Sequence, residues 1–111
     1  MKRDRLPARR GAVTFDFSHG YRTYTVTLGF YDDGGLGELF LTSTKAGSDA
    51  QIVANEAAML VSIALQHGAE IEAMADAMPR NEDGSPQGVM GAALDAVLKF
   101  VPADEPDMVP A

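Results

Sequence analysis

The sequence predicts an α+β domain: a three-stranded antiparallel meander packed on one face by a long central helix, with two further helices. Three observations predict it. Residues 13–42 alternate apolar and polar side chains and are interrupted twice by glycine-bearing turns. Ala57 to Leu65 then reads AAMLVSIAL, with only Ser62 polar. Beyond Gly68, two shorter apolar patterns at helical spacing are separated by Pro79 and a polar loop.

Each element has its own grounds. In the first strand Val13, Phe15 and Phe17 alternate with Thr14, Asp16 and Ser18, and His19-Gly20 makes a tight reversal. From Arg22, Tyr24, Val26, Leu28 and Phe30 share one face, and Thr23, Thr25 and Thr27 the other, where β-branched side chains suit a pleated surface. Asp32-Asp33-Gly34-Gly35 is a hairpin signal, because glycine accepts positive φ without steric cost. A third strand runs from Leu36 to Thr42, with Leu39 and Leu41 on the apolar face and Phe40, with Leu36, on the opposite one. The long helix begins at Ser48 or Asp49, whose side-chain oxygen can accept from a first-turn N–H, and Gly68 closes it. A helix apolar nearly all round needs cover on more than one side, so the second and third helices are expected over its outer face.

Ile71, Met74, Ala75 and Met78 recur at helical spacing before Pro79, with Glu70, Glu72 and Asp76 near that helix's start. RNEDGSPQG reads as a loop. From about Pro86 a third helix presents Met90, Leu94, Val97, Leu98 and Val101 on one face and ends at Pro102. The expected organisation is a flexible basic arm over residues 1–10, one domain over 11–101 and a disordered acidic tail over 102–111.

Composition sets bounds. Hydrophobic residues at 46% and charged residues at 23% suit one globular domain. The longest uncharged apolar run is about half of what a membrane span needs, and no basic start leads into an apolar run and cleavage site, so a cytoplasmic protein with no membrane contact is expected. Zero cysteines exclude disulfides, thiolate metal sites and a cysteine nucleophile. The net charge of −7 is uneven: residues 1–10 carry five basic groups and one acidic, and the remainder four basic and fifteen acidic. An acidic body repels nucleic acid, so only Lys2, Arg3, Arg5, Arg9 and Arg10 are candidates for contact with nucleic acid or an acidic partner.

The strand-to-helix loop is the candidate ligand site. Thr42, Ser43, Thr44, Lys45, Gly47 and Ser48 precede a helix N-terminus, where N–H groups and the helix dipole favour an anion. The order Lys-Ala-Gly-Ser is not that of a P-loop, and Asp49 competes with a phosphate for the same N–H groups. His19 and His67 lack a second histidine at ligand spacing, and Asp32-Asp33 lacks the spaced carboxylates of a calcium loop, so no metal is expected. Ser43, Ser48 and Ser62 have no GxSxG setting, and no catalytic residue is assigned. Phe40 and the two open sheet edges suggest a homodimer through the sheet.

The segment from Tyr24 to Met78 carries Glu38-Leu39-Phe40, Lys45-Ala46-Gly47-Ser48 and Ile63-Ala64-Leu65-Gln66-His67-Gly68 in that order, preceded by Arg5-Leu6-Pro7-Ala8-Arg9-Arg10. In order and spacing, residues 5–98 resemble the TSCPD domain found at the C-terminus of cobalamin-dependent ribonucleotide reductases. Many members carry cysteines in the glycine loop and in the motif that names the family. The corresponding places here, near Lys45 and near Ser85-Pro86, have none, so the resemblance brings over no thiol or zinc role. It equally implies that the radical cysteine and cobalamin site of the reductase barrel lie outside these 111 residues. The family label would be ribonucleoside-diphosphate reductase. The expectation is a non-catalytic accessory or regulatory domain without cofactor, acting by contact with a reductase subunit or other protein, or by self-association. A small-molecule or anion (nucleotide-type) binding module using loop 42–48 is the alternative. A nucleic-acid-associated protein working through its basic arm comes third.

Overall fold

A computed structural model describes residues 2–43 and 48–100. Strands β1 (Ala12–His19), β2 (Arg22–Phe30) and β3 (Leu36–Ser43) form one antiparallel sheet in the order β1-β2-β3. Helices α1 (Asp49–Gln66), α2 (Ile71–Ala77) and α3 (Val89–Phe100) follow. The α+β class and the meander are as the alternation predicts.

The turns form where glycine permits them. Gly20, at φ 63°, lets β1 reverse into β2 with His19 paired to Arg22. In the second hairpin Gly34 sits at φ 89°, the Asp33 carboxylate accepts from the Gly35 N–H at 2.8 Å, and Tyr31 N–H donates to Gly35 O at 2.8 Å. Gly68, at φ 97°, ends α1: Ala69 N–H donates to Ala64 O and Gly68 N–H to Leu65 O, each at 3.0 Å.

One face of the sheet is the core. Val26, Leu28, Leu39 and Leu41 are fully enclosed, and Ala54, Ala58, Val61 and Leu65 of α1 recur every three or four residues above them. Helix α3 brings Met90, Ala93, Leu94 and Val97 to the same core, and α2 brings Ala75. The long helix lies over β3 and α3 lies over β1, side by side on one sheet face, with α2 packed on α3.

Two expectations need correction. The second and third helices do not cover the outer side of α1, because α3 is needed to cover the sheet beyond α1's reach. Ile52, Val53, Met59, Leu60 and Ile63 therefore face outward on α1. Leu36 does not share Phe40's face either. An irregularity at Gly29/Phe30 pairs Leu36 with Phe30 and turns both side chains toward the core, while Phe40 remains on the outer face.

Helix α3 starts at Val89, later than the expected start near Pro86, because residues 79–87 are engaged across their own loop. Arg80 bridges Pro86, Gln87 N–H donates to Pro79 O at 3.1 Å, and Asn81 N–H donates to Ser85 O at 2.8 Å.

Candidate functional site

The predicted anion loop is only partly within the described residues: Thr44, Lys45 and Gly47 lie outside them. Thr42 is an exposed residue at the end of β3, and Ser43 N–H donates to the Gln51 side-chain carbonyl. Ser48 is the N-cap of α1. Its hydroxyl accepts from Gln51 N–H at 3.2 Å, and its carbonyl accepts from Ile52 N–H at 3.0 Å. One first-turn N–H group that an anion would use, that of Gln51, is thus engaged by the Ser48 hydroxyl, and Asp49 follows as an exposed acid.

The basic residues of the arm divide into two sets. Arg3 donates to the Gln66 side chain at 2.6 Å, and Asp4 N–H donates to Gln66 O at 2.7 Å, which holds the arm against the C-terminal end of α1. Arg10 pairs with Glu38, donates to its second oxygen at 3.2 Å and donates to Pro7 O at 2.7 Å. Leu6 packs so near Gly37 that a Cβ there would lie 2.8 Å from its methyl carbon. Lys2, Arg5 and Arg9 are exposed. Arg3 and Arg10 thus serve internal contacts, and together with Arg5 they line one shallow pocket beside Glu38 and Gln66.

Helix α1 also closes the outer edge of β3, a relation that hydropathy does not reveal. The Ser62 hydroxyl accepts from Leu39 N–H at 2.9 Å and donates to Leu39 O at 3.0 Å. Gln66 Nε2 donates to Gly37 O at 2.9 Å, and Gln51 Nε2 donates to Leu41 O at 3.1 Å. With the Gln51–Ser43 bond, three side chains on one stripe of α1 pair backbone groups of Gly37, Leu39, Leu41 and Ser43. An edge strand exposes such groups for pairing with another chain. Here the helix occupies them. The available signal was three polar residues, 51, 62 and 66, falling on one side of α1.

The opposite consequence is an uncovered face. Ile52, Met59 and Ile63 lie along one line of α1, with Val53 and Leu60 beside it, and Met59 and Leu60 are 62% and 69% exposed. Phe40, from the outer face of β3, borders a shallow groove with Met59 and Ile63 that Arg3 and Glu38 also line. Exposed large apolar side chains scattered singly are ordinary on a protein surface; here five share one side of a helix, interrupted by the exposed Glu56.

At the other end of the molecule, Arg80 makes a two-pronged pair with Asp95 at 2.6 and 2.8 Å and donates to Ala75 O at 2.9 Å. The hydrogen bond from Arg80 holds the Asp95 carboxyl below its ordinary value. This pair joins α2, the following loop and α3. Among the described residues no group of three or more His, Cys, Asp or Glu side chains is placed to hold a metal ion, and no helix is long and apolar enough to cross a membrane.

A family model described as the TSCPD domain matches residues 2–103, nearly the whole chain. The chain belongs to the TSCPD domain family. Curated relatives of this TSCPD domain are named vitamin B12-dependent ribonucleotide reductases. That of Rhodopirellula baltica is 35% identical over 71 residues, covering 64% of this chain and 7% of that protein. The Streptantibioticus cattleyicolor protein is 37% identical over 70 residues, 63% of this chain and 12% of its own length. The Bradyrhizobium diazoefficiens protein is 34% identical over 76 residues, 68% and 6% respectively. The chain therefore spans only a small part of the relatives it matches, as a domain resembling the C-terminal part of those reductases. No solved structure matches it significantly.

Proposed function

We propose that this TSCPD domain is a non-catalytic accessory domain that acts by protein contact, with a ribonucleotide reductase polypeptide as its partner. The observation that carries the reading is the uncovered face of α1 with Phe40, an apolar surface of a kind that contact with another protein conceals. The relatives' names supply the partner. The described residues offer hydrogen bonds and ion pairs that hold the fold together, and both two-pronged pairs, Arg80–Asp95 and Arg10–Glu38, join elements of its own structure.

Two assays test it together. The purified chain should show no nucleotide reduction, whereas turnover by the chain alone would overturn the non-catalytic reading. An affinity-tagged chain should capture a reductase polypeptide from cells that make both, and Met59→Asp should abolish the capture. Capture that is indifferent to Met59→Asp would move the contact off α1.

A further inference from the structure

We infer that the outward face of α1 is built to pack against α1 of a second copy of this chain, antiparallel about a two-fold axis that passes between Glu56 and Met59, level with residues 57 and 58. The inference rests on the protein-contact reading above and assigns that face, where no reductase polypeptide occupies it, to a second copy of the chain, so the two partners compete for one surface.

The surface is symmetric about its own middle. Ile52 and Ile63 lie equally far from residues 57–58, as do Asp49 and Gln66. Antiparallel pairing about that centre sets Ile52 of one copy against Ile63 of the other, and opposes the two helix dipoles favourably. It also brings Asp49, an exposed acid at the start of one α1, to the end of the other, where Gln66 holds Arg3 at 2.6 Å. The ends of the interface are therefore complementary in charge. From Asp49 to Gln66 the helix runs about 25 Å at ~1.5 Å per residue, long enough for several turns of helix-on-helix contact.

Full burial of the apolar surface would just reach the size of a stable interface. Six large apolar side chains, Phe40, Ile52, Val53, Met59, Leu60 and Ile63, are 38–69% exposed. They leave on the order of 600 Å² per copy, so a two-fold pair that covered all of them would bury at most on the order of 1,200 Å², the lower bound for a specific stable interface. The β3 edge of the sheet offers less. The outer edge of β3 is taken by Gln51, Ser62 and Gln66 of the same chain, so strand addition there would have to displace α1.

One residue opposes the pairing and makes it testable. Glu56 is exposed within the stripe, four residues after Ile52 and three before Met59. Two-fold pairing brings the two Glu56 carboxylates to either side of the axis, where like charges repel. Removing that charge without changing its size should strengthen the dimer.

Sedimentation equilibrium of the full chain from about 1 to 200 μM reads the outcome. The wild type should move from the 11.8 kDa monomer toward twice that mass. Glu56→Gln should dimerise several-fold more tightly, and Met59→Asp, on an exposed site, should remain monomeric with an unchanged helical circular dichroism spectrum. A wild-type chain that is monomeric throughout overturns the inference. So does a dimer that ignores both α1 variants but is broken by Thr14→Pro in β1. A monomeric wild type that still captures a reductase polypeptide removes this inference alone, whereas an α1 dimer that captures none removes only the reductase as partner.

Discussion

Replacing Ser62 by alanine should destabilise the domain well beyond the loss of one surface hydroxyl. The Ser62 side chain both accepts from Leu39 N–H at 2.9 Å and donates to Leu39 O at 3.0 Å, and Leu39 is fully enclosed. Alanine has no group to offer either partner, and α1 stands between them and water. A buried backbone group left without a partner costs about 1–3 kcal/mol. Two of them, less some relaxation that admits water, give about 2–4 kcal/mol. For a domain of this size, that should lower Tm by about 10 °C or more. Urea unfolding followed by circular dichroism, at one fixed protein concentration so that association does not intrude, measures it. Asn55→Ala is the control on the same helix: Asn55 is exposed, accepts from Gln51 Nε2 at 3.1 Å, and should cost less than about 0.5 kcal/mol when truncated. A Ser62→Ala loss no larger than the control's would refute the account of α1 as the cover of the β3 edge.

Further outcomes follow from other parts of the fold. Leu39→Ala and Leu94→Ala each empty a fully enclosed site and should cost about 2–5 kcal/mol in the same unfolding assay. Gly29→Ala should cost about 1–3 kcal/mol by overpacking, because a Cβ there would lie 2.6 Å from Glu38 Cγ and would force Glu38 off its pair with Arg10; crystallography of the variant would show the displaced carboxylate. The Asp95 carboxyl is lowered by its hydrogen bond from Arg80, so the unfolded chain takes up that proton first as pH falls. Its stabilisation is present above the ordinary value of 3.8 and is lost as pH falls through the lower folded value, so Arg80→Ala should flatten the acid side of the Tm–pH curve and lower Tm at neutral pH.

The strands were legible because each is half-buried: a period of two in Val13–Phe17 and Tyr24–Phe30 can be read directly when one face is wet. The turns were legible because Gly20 and Gly34 stand where positive φ is required. The position of Leu36 was not, since a register irregularity moves a side chain to the other face and depends on how two strands pair rather than on either alone. The disposition of α1 was also hidden. An apolar run such as Ala57–Leu65 states that cover is wanted but not whether the same chain provides it. Residue size on each side decides that: the small Ala54 and Ala58 let the helix approach the sheet, while Met59 and Leu60 are left outside. The function of Ser62 was visible only as an interruption. Its meaning required the free edge of β3 beside it, a contact between residues 23 apart in the chain.

The central claim, that a protein contact conceals the outward face of α1 in the working protein, is tested most directly by the oxidation rate of Met59. The side chain is 62% exposed in the single chain, whereas Met78 is half-buried against the core and serves as an internal reference. Sulfoxide formation follows exposure, so dilute purified protein should oxidise faster at Met59 than at Met78. Peptide-resolved mass spectrometry of peroxide-treated cells at native expression should show that ratio reduced several-fold if the contact forms. An unchanged Met59-to-Met78 ratio in cells would contradict the account.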